Sequence, residues 1–144
     1  MPIQITDIQL PERSATKIIS ILESNAMPVR VPVDLHRINF NCWGFTAYYL
    51  QWEESAYWMD ASQMKYYLQL RTKPISKEDA KAGDIAVFYS GNYLTHTAII
   101  LPGGDVICHK PGGQELCIDT IESAAINYGS VTYVRVIKES EERI

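Results

Sequence analysis

Cys42 stands in the segment Asn41-Cys42-Trp43-Gly44-Phe45, and His96 and His109 each border a short apolar run in the second half of the chain. A cysteine and two histidines are the residue types from which acyl transfer is assembled: a thiol nucleophile, a base to take its proton, and a group that orients the base. Asn41 is a favoured N-cap, and Phe45, Tyr49 and Trp52 recur behind it at helical spacing. That pattern predicts a cysteine on the first turn of a helix. There the positive end of the helix dipole and the unpaired N–H groups favour the thiolate, which is the nucleophilic form. Residues 97–101 and 106–109 flank Pro102-Gly103-Gly104-Asp105, a tight reversal. If the two runs pair, the histidines approach each other on adjacent strands, with one imidazole beside Cys42 and the other behind it. Cys42, His96, His109 and Cys108 also have the ligand types of a zinc site, but alternate strand faces argue against using both Cys108 and His109. A third possibility is a catalytically inactive binding domain whose cysteine has ordinary thiol reactivity. His36, the remaining histidine, reads as a loop residue.

The elements that must position these residues are legible in outline. Pro11 and Ser14 open a helix whose Ala15, Ile18, Ile19 and Leu22 form a stripe for burial. Pro28 and Pro32 enforce an extended link before the Cys42 helix. A third helix starts near Asp60, where Asp60 and Gln63 form a capping box; Met64 and Leu68 face inward and Pro74 stops it. Residues 76–79 read as one short helical turn. After Gly83 the pattern changes to strands at 85–89, 97–101, 106–109, 116–118 and 131–136, with a short helix capped by Asp119 and Glu122 running through Ala124 and Ile126. Helices first and a strand meander second predict an α+β fold, with N-terminal helices packed on one face of an antiparallel sheet. Residues 1–144 read as a single domain, and the charged tail at 138–143 as solvated. Most of the aromatic residues between Tyr48 and Tyr67 are expected in the core.

Composition narrows the function classes. Hydrophobic residues make up 47% of the 144 and charged residues 21%, which is the balance of a globular chain rather than a disordered one. The net charge of −4 offers no basic field to nucleic acid. Cys42, Cys108 and Cys117 are odd in number and scattered, which reads as reduced thiols rather than a disulfide framework. No run reaches the ~18 apolar residues of a membrane span. The first seven residues lack a basic segment followed by an apolar one, so the expectation is cytoplasmic synthesis without a signal peptide, any export using a non-Sec route.

Taken in order, Asn41-Cys42-Trp43-Gly44-Phe45, Gly83-Asp84-Ile85-Ala86-Val87-Phe88, His96-Thr97-Ala98-Ile99-Ile100 and Val106-Ile107-Cys108-His109 resemble the successive motifs of the NlpC/P60 family. The resemblance implies a papain-like fold over about residues 38 to 136, with the cysteine on a helix and the histidine on the sheet. It implies Cys42 as nucleophile, His96 as general base and His109 as the polar residue that orients the base. Gly44 matches a glycine that lets the helix pack close to its neighbour, and Asp84 a residue that is more often structural. The Cys42 backbone N–H is the natural first oxyanion donor, with His36 and Asn39 upstream as guesses for the second. The implied reaction is attack on an amide carbonyl, with water resolving the thioester and no metal or organic cofactor required. Where the family pattern has aspartate before the cysteine and serine after it, this chain has Asn41 and Trp43. In muropeptide-cleaving members those positions help to bind a substrate amine. Asn41 and Trp43 are therefore the substrate-binding candidates, and the resemblance supports the chemistry better than the substrate. The expected substrate is a peptide or muropeptide of the bacterial cell wall. The alternative is a transferase or deamidase acting on proteins, with a cognate inhibitor as partner if the chain is a delivered toxin.

Overall fold

A computed structural model of the chain describes residues 4–32 and 37–138; His36 and the tail beyond 138 lie outside the described residues. Among the described residues four α-helices and six strands form the fold. Helix α1 spans Ala15–Ser24, capped by the Ser14 side chain, and buries Ile18, Ile21 and Leu22. Helix α2 spans Cys42–Tyr49 and is apolar nearly all round, which marks a helix enclosed by its neighbours. Helix α3, Ala61–Arg71, starts where expected: Asp60 Oδ1 accepts the Gln63 N–H at 3.0 Å. The other half of the expected box is absent, because the Gln63 amide instead reaches Tyr57 Oη at 2.6 Å and Glu53 at 3.3 Å.

Strand β1, Thr72–Ile75, follows α3 directly and contains Pro74. The proline therefore does not stop a helix. It sits in an edge strand, where a missing N–H need not break a ladder. The remaining strands are β2 (Ile85–Ser90), β3 (Tyr93–Ile100), β4 (Val106–His109), β5 (Cys117–Thr120) and β6 (Ser130–Val136), with α4 (Ile121–Tyr128) between β5 and β6. The cap of α4 lies one residue later than expected: Thr120 Oγ1 accepts the Ser123 N–H at 3.0 Å, while Asp119 accepts from Thr120 N–H and Ser123 Oγ. The strands form one antiparallel sheet in the order β1-β6-β2-β3-β4-β5.

Helices cover both faces of this sheet. Ile18, Ile21 and Leu22 of α1 and Phe45 and Tyr49 of α2 pack on Ile99, Leu101, Cys108 and Ile118. Met64 of α3 extends the same layer over Ile85 and Val87. Ile121 and Ala124 of α4 pack on the opposite face, against Ala98, Ile100 and Ile107. This is the expected α+β arrangement, N-terminal helices on an antiparallel sheet, with α4 added behind it. Asp84 is structural: it holds Arg135 of β6 through two hydrogen bonds of 2.9 and 2.8 Å and accepts the Lys81 N–H. Among the described residues no helix is long and apolar enough to cross a membrane.

Candidate active site

Cys42 occupies the first turn of α2, as its cap predicts. Asn41 Oδ1 accepts the Gly44 N–H at 2.9 Å and the Met59 N–H at 3.2 Å, and its Nδ2 donates to the Met59 carbonyl at 2.8 Å. The cap thus fixes the helix tip to the segment before α3 as well as to the helix itself. Gly44 allows that approach. A Cβ there would stand 1.7 Å from the Tyr57 carbonyl oxygen, so the chain passes over a position where no side chain fits. One turn on, Thr46 Oγ1 and Thr97 Oγ1 are 2.8 Å apart, which pins α2 to β3.

His96 and His109 are brought together. Alternation on β3 and β4 places His96 with Ala98 and Ile100, and His109 with Ile107, on the face covered by α4. His96 Nε2 and His109 Nδ1 are 2.7 Å apart, with their rings nearly perpendicular. Both rings are buried, and His96 Nδ1 and His109 Nε2 have no hydrogen-bond partner among the described residues. Tyr128, at the end of α4, lies parallel on the His96 ring with centroids 3.9 Å apart. Its backbone carbonyl is held by Thr95 Oγ1 at 2.5 Å. A cavity of about 680 Å³ opens beside this group, lined by His109 and Tyr128 together with Arg13, Asp119, Ser123 and Asn127.

Cys42 approaches β3 from the other face of the sheet. Strands β3 and β4 pair only at Ile99↔Cys108 and Ile100↔Ile107, so the Thr97 N–H lies beyond the ladder between them, and it donates to the Cys42 sulfur. The sulfur also interacts electrostatically with Tyr128 of α4. The tip of α2 therefore meets β3 one residue from His96.

The electrostatics differ from the expectation of a ready thiolate. Burial pushes the Cys42 thiol up to about 12, against the N–H groups of Thr97, Trp43 and Cys42 and the charge of Lys110, which all pull it down. At 6% exposure, desolvation outweighs a short helix tip. Burial likewise holds His96 well below its ordinary value, with His109 adding to the effect. His109 is lowered to about 4 by burial and Arg13, with Asp119 opposing. At rest, then, Cys42 is a neutral thiol and His96 and His109 are neutral imidazoles.

Other positions behave variously. Trp43 is half-buried, and its Nε1 is enclosed without a partner among the described residues. Cys108 packs on the α1–α2 side, opposite to His109, as alternation predicts. Among the described residues no three His, Cys, Asp or Glu side chains gather as a metal site would require. Asn39 lies in a short 3-10 turn at Arg37–Asn39. Three residues at the site were missed: Thr97, Tyr128 and Lys110. Tyr128 carried a signal, since Ile121, Ala124 and Tyr128 share one helical face; Thr97 and Lys110 carried none.

The family model described as NlpC/P60 family matches residues 30–135. Among solved structures, a crystal structure from Staphylococcus aureus, of a protein described as similar to lipoprotein, NLP/P60 family, has the same fold. Its TM-score is 0.50 at 18% identity; the match covers 92% of this chain and 45% of that one, so this chain spans under half of that protein's length. Among curated proteins none matches. The family match supports a hydrolytic, cysteine-hydrolase type of activity in general. With the motif cysteine on a helix tip, the motif histidines joined on the sheet, and a match across most of its length, the chain belongs to the NlpC/P60 family.

Proposed function

We propose that this chain is a cysteine peptidase or amidase that cleaves an amide bond, with Cys42 as nucleophile, His96 as base and His109 as the residue that orients the base. One observation carries the reading: His96 Nε2 is bound to His109 at 2.7 Å while its Nδ1 is left without a partner among the described residues. With the proton of that bond on His96 Nε2, Nδ1 is the bare nitrogen and can accept the thiol proton. Both groups are neutral at rest, so proton transfer from sulfur accompanies attack. Sulfur adds to the amide carbonyl as Nδ1 takes the proton, and the Cys42 backbone N–H faces the developing oxyanion. The C–N bond breaks, the amine leaves with the proton from Nδ1, and a thioester remains. Water, losing its proton to the same nitrogen, then releases the acid and restores the thiol. Tyr128, stacked on His96, limits rotation of the ring during these transfers.

The substrate class is a bacterial cell-wall peptide, a reading supported by family membership. Asn41 spends its polar atoms on Met59 and Gly44, so its share in substrate binding is to fix the helix tip. Trp43, partly exposed beside the nucleophile, is the proposed direct contact. The test is incubation with purified muropeptides and mass spectrometry of the products. Addition of one water to a cleaved peptide is expected; addition of an amine instead would establish transfer. Cys42→Ala is expected to fold and to lose turnover, and turnover retained by that variant would overturn the assignment.

A further inference from the structure

Lys110 follows His109 at the end of β4, and it is fully buried. A lysine is almost never in that state without partners, because withdrawing an ammonium from water costs several kcal/mol. Part of what replaces water is built into the backbone. Nζ donates to the Phe40 carbonyl at 2.9 Å and to the Gly112 carbonyl at 2.5 Å, and it lies 4.8 Å from the centre of the Phe40 ring. Carbonyl oxygens and the face of an aromatic ring are partners for a cation; they offer nothing to the lone pair of a neutral amine.

Phe40 is two residues before Cys42. The lysine therefore joins the strand end that carries His109 to the segment that opens α2. We infer that Lys110 is a positioning residue of the acyl-transfer site: its ammonium clamps the approach to Cys42 against the end of β4 and sets a positive charge where sulfur becomes negative during attack. The inference rests on the reading of Cys42 as the nucleophile. Tyr128 on α4, which interacts with the sulfur, is kept protonated by burial, and His96, the neighbour of Thr97 on β3, is kept neutral by burial. Among the described residues, Lys110 is the charged group that acts on Cys42.

Two variants separate charge from hydrogen bonding. Lys110→Met removes both, while Lys110→Gln keeps N–H donors for the carbonyls and loses the charge. The readout is alkylation of Cys42 at pH 7.5, located by peptide mass spectrometry, with neutral iodoacetamide and with anionic iodoacetate. Folding is checked by circular dichroism and thermal melting. Both variants are expected to fold and to react with iodoacetamide about tenfold more slowly than the parent chain. The ratio of iodoacetate to iodoacetamide rates is expected to fall in both, which a merely structural loss would leave unchanged. Rates within twofold of the parent, a Gln variant at the parent rate, or failure of both variants to fold would each overturn the inference. Alkylation reads the thiol without any substrate. A Cys42→Ala enzyme that still turned over would defeat the proposed function, whereas unmoved alkylation beside an inactive Cys42→Ala would defeat the role of Lys110 alone.

Discussion

His96 and His109 share a hydrogen bond but not a task in the proposed mechanism. His96 exchanges protons with sulfur, leaving amine and water, whereas His109 only holds the ring that does so. Removing a general base costs roughly 10²–10⁴-fold in rate, and a lost orienting bond can be replaced in part by water. His96→Ala is therefore expected to lower kcat/KM by about 10²-fold or more, and His109→Ala by clearly less, with both variants shown to be folded. Equal losses would mean that the two rings are equally close to the chemistry. At this scale the sequence was informative wherever a residue is defined by its chain neighbours. Asn41 caps, Cys42 follows it, and a reversal between two apolar runs returns one histidine toward the other. It was silent on what packing decides. Helix-tip logic favoured a thiolate at Cys42, and burial reversed that balance. Nothing in the sequence marks Lys110, whose bonds to the Phe40 and Gly112 carbonyls arise only in the fold.

At the scale of elements, the placement of α2 depends on a gap in its own side chains. Gly44 lies where a Cβ would overlap the Tyr57 carbonyl oxygen, 1.7 Å away, and the obstacle is backbone on both sides. Alanine is the better helix former by about 1 kcal/mol, but relieving the overlap requires α2 to move from the segment before α3. Gly44→Ala is expected to destabilise the chain by about 2 kcal/mol net, read as a lower midpoint in urea. It should also lower activity, because Cys42 is two residues from the displaced atom. A midpoint unchanged by the substitution would show that the approach is looser than described. The other elements were legible in proportion to their periodicity. Strands β2 and β4 are apolar runs between turn residues and fell close to where the pattern puts them, whereas β3 begins at Tyr93, four residues before the expected start, and carries His96 within it. Strand β1 was not visible, because Thr72-Lys73-Pro74-Ile75 has no alternation of its own; pairing with β6 makes it a strand. Likewise Asp84 is readable as structural only by likeness, and its partner Arg135 is 51 residues away.

For the molecule as a whole, the same burial that defines the site sets the pH range in which the fold is stable. An unfolded chain titrates its histidines near ~6.5, whereas the folded chain keeps His96 well below that value and His109 down to about 4, both chiefly through desolvation. Below pH ~6.5 the unfolded state therefore binds protons that the folded state refuses, and stability falls as pH is lowered toward 4. His109 alone accounts for about 2 kcal/mol at pH 5, or roughly 5–10 °C in Tm for a chain of this size. The thiols act in the opposite direction. Burial raises Cys42 and Cys117 to about 12, Asp119 adding to the second, so their contribution is complete below the unfolded thiol value of ~8.5 and drains away between there and about 12. The expected profile of Tm is a plateau from about pH 7 to 8.5 with a fall on each side. The acid limb belongs to the histidines, so His109→Gln should make it shallower between pH 7 and 5, even where the substitution lowers the plateau itself. Thermal melts at half-unit steps, on the parent chain and on this variant, measure both limbs. A Tm that does not change from pH 7 to 5, or an acid limb equally steep without the His109 ring, would mean that these imidazoles are open to water, and the dry, neutral site described above would then be wrong.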